Sequence, residues 1–176
     1  MNALLQLNEE VEKNQKDFFT LDKSWIERIK NNALKNNSGK YRTCIHKSEK
    51  DSLHEMLIVH TSAAYVRPHK HRINSESLQF IEGEGTAIIF NTDGSIFQSF
   101  KVGEPDSDNT FYYKMEKDMF HMLLIESKFL VFKETIKGPF IRNNTIFPKW
   151  APDGRNQNEV GDYIRNLKNL LEKIVN

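Results

Sequence analysis

Two of the chain's six histidines stand two residues apart, in Pro68-His69-Lys70-His71-Arg72-Ile73-Asn74-Ser75-Glu76. On an extended strand successive side chains alternate faces, so His69 and His71 point one way and Lys70 the other. Glu76 follows a short turn, from which the next strand can return its carboxylate to the two imidazoles. Two neutral nitrogens and a carboxylate on converging strands suit a divalent first-row metal, whether Fe, Mn, Ni, Co or Zn. A fourth ligand must come from elsewhere. His121 is the choice, because it opens the apolar run His121-Met122-Leu123-Leu124-Ile125. An HxH pair alone is common on exposed strands, whereas HxH followed by Glu76 and then Gly83 is far more specific. The expected centre is one divalent transition metal held by His69, His71, Glu76 and His121, with open positions for water or a bidentate substrate. Such an ion polarises a carbonyl, acidifies bound water or, as iron, takes dioxygen.

Groups that could meet a substrate lie close by in sequence. If the His69–His71 strand runs regularly through Pro68, Tyr65 and Arg67 share its inward face. An inward Arg67 is costly without an anion. A carboxylate, phosphate or pyrophosphate satisfies it bidentately, and an internal acid such as Glu134 does so equally well. Arg42 and His46 come just before the strand-rich region and can reach over a pocket mouth, with surface hydrogen bonding as the alternative. Trp150 either closes one side of the pocket or packs structurally. The resulting assignment gives substrate binding to Arg42, Arg67 and Trp150, and proton transfer to His46 and Tyr65. Lys133 reads equally well as a solvated strand residue. Cys44 reads as a small semi-buried residue rather than a nucleophile.

These residues need elements to hold them. Ser24 with Glu27 suggests a capping box, after which Trp25, Ile26, Ile29, Ala33 and Leu34 fall on one helical face, ended by Gly39. Residues 1–20 read as an extended arm or a short helix. From about 53 to 136 the chain reads as short strands: Glu55–Val59, Ala63–Val66, Leu78–Glu82, Thr86–Phe90, Ile96–Lys101, Thr110–Lys114, His121–Glu126 and Phe129–Thr135. Turn signals separate them, including Asp93-Gly94 for a tight hairpin. An irregular stretch over 138–153 leads to a final amphipathic helix marked by Val160, Tyr163, Ile164, Leu167, Leu170, Leu171 and Ile174. It packs outside the strands or forms a dimer contact.

Composition bounds the function classes. At 176 residues the chain is one domain by size. Lys and Arg number 25 against 24 Asp and Glu, a net charge of +1, so the basic excess of a nucleic-acid binder is missing. Apolar runs reach four residues, far short of a membrane span, and MNALLQLNEE lacks the basic and apolar regions of a secretory signal. The lone Cys44 permits no internal disulfide. The expectation is a cytoplasmic protein without nucleic-acid or membrane partners, acting on a small molecule.

The pattern His69-Lys70-His71, Glu76, Gly83 resembles the first cupin motif, with Ala63 where that motif opens on Gly. The second cupin motif is reduced to His121; its Pro, Gly and Asn positions hold Glu116, Asp118 and Ile125. A closer resemblance is to the WbuC family of cupin-fold metalloproteins. It is carried by Arg42-Thr43-Cys44-Ile45-His46, Ser62 through His71, Phe90-Asn91-Thr92-Asp93-Gly94, Glu134 through Gly138-Pro139-Phe140, and Trp150-Ala151-Pro152. Cys44 stands where that family has Asn. The resemblance covers roughly residues 20–153.

It implies a mainly β fold, a cupin (double-stranded β-helix, jelly-roll) barrel with N-terminal and C-terminal flanking helices. The implied division is 1–40 for the arm and first helix, 41–153 for the β-barrel and 154–176 for the C-terminal helix, all in one structural domain. It implies a setting in bacterial surface-polysaccharide (O-antigen or capsule) biosynthesis. The substrate is then a sugar or sugar nucleotide, turned over by metal-assisted isomerisation or epimerisation. Two alternatives stay open: a non-catalytic metal-dependent sugar-binding or regulatory cupin, and an Fe(II) dioxygenase, which Glu76 disfavours. A homodimer through sheet edges also stays open.

Overall fold

The computed structural model describes residues 4–175; residues 1–3 of the expected arm and residue 176 of the expected last helix lie outside them. The arm is a hairpin of β1 (Leu4–Asn8) and β2 (Val11–Asn14). Helix α1 spans Lys23–Lys35. Its cap is Asp22, not the expected Ser24: the Asp22 carboxylate accepts from the Trp25 backbone N–H at 2.9 Å and from the Ser24 hydroxyl at 2.7 Å. A full negative charge at the positive end of the helix explains why the carboxylate takes this position. The helix stops at Lys35 with Asn36 extended as its cap, so Gly39 is not the expected left-handed stop but takes φ +66° in the turn that leads into the sheet.

Ten more strands follow: β3 (Lys40–Cys44), β4 (Leu53–Thr61), β5 (Lys70–His71), β6 (Glu76–Glu82), β7 (Glu84–Phe90), β8 (Ile96–Gly103), β9 (Tyr112–Met115), β10 (Phe120–Ile125), β11 (Phe129–Lys137) and β12 (Thr145–Ile146). Helix α2 (Gln157–Val175) closes the chain. The stretch expected as a strand at Ala63–Val66 is irregular instead, entered by a turn after Thr61.

The strands form two main layers. One is a seven-stranded sheet in the order β1-β2-β3-β4-β11-β6-β9, and the other is β10-β7-β8, with the small pair β12-β5 beside it. A bridge between His69 and His121 joins β5's strand to β10, so the second layer continues across. This is the mainly β jelly roll expected, although its sheets do not close into a barrel.

Alternation along single strands builds three cores. Met56 and Ile58 of β4 meet Phe80, Phe132, Leu123 and Leu130 between the sheets. Leu57 and Val59 of the same strand turn outward against Ile29 and Ala33 of α1. On β10, Leu123 faces the inter-sheet core, while Phe120, Met122 and Leu124 pack under Tyr163, Leu167 and Leu171 of α2. Burial on both faces is why these strands read as unbroken apolar runs. The structure therefore has four layers, with a helix over each sheet and the last helix packed outside the strands.

A buried acid locks the first helix and the hairpin to the large sheet. Glu12 of β2 is 2% exposed and accepts from Arg28 Nη1 at 2.9 Å, the Tyr41 hydroxyl at 3.1 Å and the Thr43 hydroxyl at 2.5 Å. Replacing it strands three donors at once. Glu12→Ala is expected to lower unfolding stability by about 2–4 kcal/mol, read by urea denaturation, since an uncompensated buried group costs more than the pair contributes.

Candidate metal centre and its cavity

His69 and His121 sit opposite each other on adjoining backbones and exchange both main-chain bonds, His69 N–H to His121 O at 3.1 Å and His121 N–H to His69 O at 2.9 Å. His71 follows two residues after His69, on the same face. Glu76 arrives from β6 in the facing sheet. The structure thus brings together all four residues expected at the metal. Ring centroids lie 4.4 Å apart for His69 and His121, 5.2 Å for His69 and His71, and 5.9 Å for His71 and His121. One ring nitrogen from each of the three histidines lies within 4.8 Å of the others. Glu76 Oε1 is 2.8 Å from His121 Nε2, and Oε2 is 3.3 Å from His71 Nε2.

The outer nitrogens are already engaged. His69 Nδ1 lies 2.9 Å from the Arg67 carbonyl, His121 Nδ1 2.9 Å from the Met119 carbonyl, and His71 Nδ1 3.3 Å from the Thr145 hydroxyl. Donation from Nδ1 to a carbonyl leaves Nε2 bare and inward, the tautomer a divalent ion requires. Burial pushes His69 down to about 3, so it is neutral at physiological pH. Burial would also lower His121 and raise Glu76, but the charge of each outweighs this in the other. His121 is raised and the Glu76 carboxyl is held well below the usual range. Three neutral-capable imidazoles and an ionised carboxylate fit one divalent transition metal.

The turn that carries β10 into place settles the weak second motif. Asp118 takes φ +69°, the conformation for which the motif uses Gly. Its N–H donates to the His71 carbonyl at 2.8 Å and its carboxylate pairs with Lys70 at 2.7 Å. An Asp tolerates this region better than most residues. At Gly83, φ is +86° and a Cβ would lie 2.0 Å from the Phe129 carbonyl, so only glycine fits between β6 and β7.

The ligands open into a cavity of about 470 Å³, a size usual for small-molecule sites. Arg42, His46 and Arg67 line it. The Arg67 guanidinium lies 4.7 Å from the Phe147 ring centre and donates to the Pro148 carbonyl at 3.5 Å, and its Nε has no partner. It does not pair with Glu134. His46 stacks on His54 at 4.0 Å, its Nδ1 3.1 Å from the Glu55 carbonyl.

Two assignments are displaced. Because Ala63–Val66 is not a strand, Tyr65 does not share the ligand face. Its hydroxyl donates to the Pro152 carbonyl at 3.0 Å, its ring lies 6.4 Å from that of Tyr163, and burial pushes it up to about 12. Trp150 packs on Phe90 and Phe120 and donates to the Thr92 carbonyl at 3.1 Å, outside this cavity. Lys133 pairs with Glu55 at 2.5 Å. Cys44 is buried on the wall, its thiol raised by burial.

Several polar lining residues escaped the sequence reading of the site, among them Lys40, His54, His60, Tyr113 and the acids Glu10 and Glu49. The signal was the alternation His54, Met56, Ile58, His60 on β4, whose apolar members point into the core. Glu134 also faces the cavity, between Phe132 and Ile136. Burial and the nearby Glu76 charge raise its carboxyl to about 7. No hydrogen bond or ion pair reaches it among the described residues.

A family model described as a domain of unknown function (DUF6016) matches residues 21–102. Among curated proteins no sequence matches this chain. Solved structures do. The capsular polysaccharide assembling protein CapF of Staphylococcus aureus is 13% identical with a TM-score of 0.53, over 64% of this chain and 32% of CapF. Protein SO0799 of Shewanella oneidensis is 11% identical with a TM-score of 0.52, over 64% of this chain and 75% of that one. CapF bound to the inhibitor 3-isopropenyl-tropolone is 14% identical with a TM-score of 0.50, over 61% and 31%. The chain has a cupin fold. At such identities the likeness concerns the fold alone, and the chain spans about a third of CapF's length. No described helix is long and apolar enough to cross a membrane.

Two outcomes are expected. Titration with Co(II) or Zn(II) against a chromophoric chelator should give one site per chain. It should be lost in His121→Ala and weakened about 10-fold in Thr145→Val, which frees the His71 ring. Separately, burial, with Lys40 and Arg42, lowers His60 to about 3. As pH falls through the unfolded value near 6.5, the unfolded chain gains a proton the folded one refuses, so stability falls until the folded value is reached. In metal-free protein, His60→Gln should lose about 1–2 kcal/mol less than wild type between about pH 7 and about pH 4.5, by chemical denaturation; the figure allows for His60 being partly exposed.

Proposed function

We propose that this chain is a cytoplasmic, metal-dependent cupin of the WbuC type that acts on a sugar or sugar nucleotide in bacterial surface-polysaccharide biosynthesis, by isomerisation or epimerisation. One observation carries the reading. A single cavity holds a candidate metal centre, cationic side chains and a carboxyl, Glu134, that no hydrogen bond or ion pair reaches among the described residues. His69, His71, His121 and Glu76 would hold the ion. When bound, it would polarise an oxygen of the ligand.

The other residues act on the ligand directly. By the proton-transfer route proposed, isomerisation or epimerisation takes a proton from carbon and returns it at another position or face. Glu134 of β11 lies between β4 and β6 in the sheet order, facing the cavity, and is the group placed to carry that proton. His46 lines the same cavity and is a second carrier; Tyr65 is turned away. The resemblance of several sequence segments to the WbuC family and the fold likeness to CapF support the polysaccharide setting.

Proton exchange tests this directly. In D2O, the metal-loaded protein should place deuterium on a carbon of one member of a nucleotide-sugar panel, followed by NMR. His69→Ala should abolish this and Glu134→Gln slow it about 10²–10⁴-fold. Failure across the panel, or a His69→Ala variant as active as wild type, overturns the reading.

A further inference from the structure

The cavity wall on β3 and β4 carries two cations that form no ion pair among the described residues, although Glu10 and Glu134 line the same cavity and act on Lys40 and Arg42 through space. Lys40 and Arg42 stand two apart on β3 and share its inner face. His60 is the direct cross-strand partner of Lys40, and Arg42 faces Ile58 in the next row. All three line the cavity. Neither cation forms an ion pair among the described residues, and His60 Nδ1 is buried with no hydrogen-bond partner. Burial pushes the Lys40 ammonium down, and Glu10, which lines the same cavity, offsets this only in part. Half-burying a lysine beside an arginine and an unpartnered imidazole is unfavourable unless an anion joins them.

We propose that Lys40, Arg42 and His60 form a phosphate subsite that takes the phosphate-ester end of the ligand. Three side chains on two strands present donors from separate directions. This suits a tetrahedral oxyanion with several oxygens better than the planar edge of a carboxylate. The subsite is separate from the metal centre. Strand β3 is three positions from β6, which carries Glu76, so their backbones lie about 14 Å apart at the usual strand spacing. A phosphorylated sugar laid across the sheet would put its phosphate on β3 and its hydroxyl or carbonyl oxygens at the histidines. That orientation rests on the proposed function, whereas the subsite itself does not need the metal.

Calorimetric titration with inorganic phosphate at constant ionic strength tests it, with acetate as the comparison anion. Wild type should bind phosphate saturably, and acetate at least tenfold more weakly. His69→Ala should bind phosphate as wild type does. Arg42→Gln and Lys40→Met should each weaken it at least tenfold. Arg42 is exposed, so its variant carries the test if Lys40→Met fails to fold. Absence of saturable phosphate binding, equal binding by Arg42→Gln, or acetate binding as tight as phosphate overturns the proposal. Loss of binding in His69→Ala alone would place the anion on the metal and overturn it too. Intact phosphate binding without deuterium exchange would overturn the enzymatic reading and leave the subsite standing.

Discussion

The reciprocal pair of backbone hydrogen bonds between His69 and His121 is the constraint on which the site depends. It stitches the short β5 strand to β10, and without it the second layer would stop at β10. A pair that exchanges both bonds fixes the separation and direction of the two Cα–Cβ vectors. Both imidazoles are therefore aimed inward by main-chain geometry rather than by side-chain packing. Asp118 adds a second tie by bonding the His71 carbonyl. Three imidazoles are set by one short stretch of ladder, and only the Glu76 carboxylate has to cross from the other sheet.

That division explains the placing of the polar interior. The middle of the inter-sheet space is filled by Phe80, Phe132, Leu123 and Leu130, all at 5% exposure or less. Toward the histidine end, the cross-strand row His54, Ile136, Glu76 introduces polar groups. Toward the other end, the row Lys40, His60, Leu130 does the same. Each buried ionisable group costs desolvation that the apolar middle must offset. Glu76 is compensated by two imidazoles, whereas Glu134 and Lys40 form no ion pair among the described residues. The outer helices extend the apolar area by covering both sheets, which lets a small domain tolerate a polar cavity.

The legible parts of the sequence were those in which one residue's type fixed its place. Gly83 has no substitute beside the Phe129 carbonyl, and the His69–His71 spacing needs only the period of a strand. The strands from Glu76 to Lys137 were readable because turn residues punctuate them. Tyr65 was misplaced because its reading assumed a regular strand through Pro68. Proline restricts its predecessor and removes a donor, and here the chain from Ser62 to Pro68 follows no ladder. The Lys40 and His60 wall was invisible for a different reason. Their face is set by the register of β3 against β4, and that pairing spans a loop no local pattern specifies.

Asp118 shows why a degraded motif need not mean a degraded site. The family pattern uses glycine where the backbone must turn left-handed before the last histidine. What the candidate centre's histidines require is the turn, because the turn positions the Asp118 N–H on the His71 carbonyl and starts β10 in register with β7. An Asp pays a modest backbone cost at φ +69° and recovers part of it through the 2.7 Å pair with Lys70, the outward residue between the two ligand histidines. The outward face of the HxH segment thus stabilises the turn that delivers the third imidazole. Lys70, whose ammonium points away from the candidate centre, belongs to the machinery that holds its histidines in place.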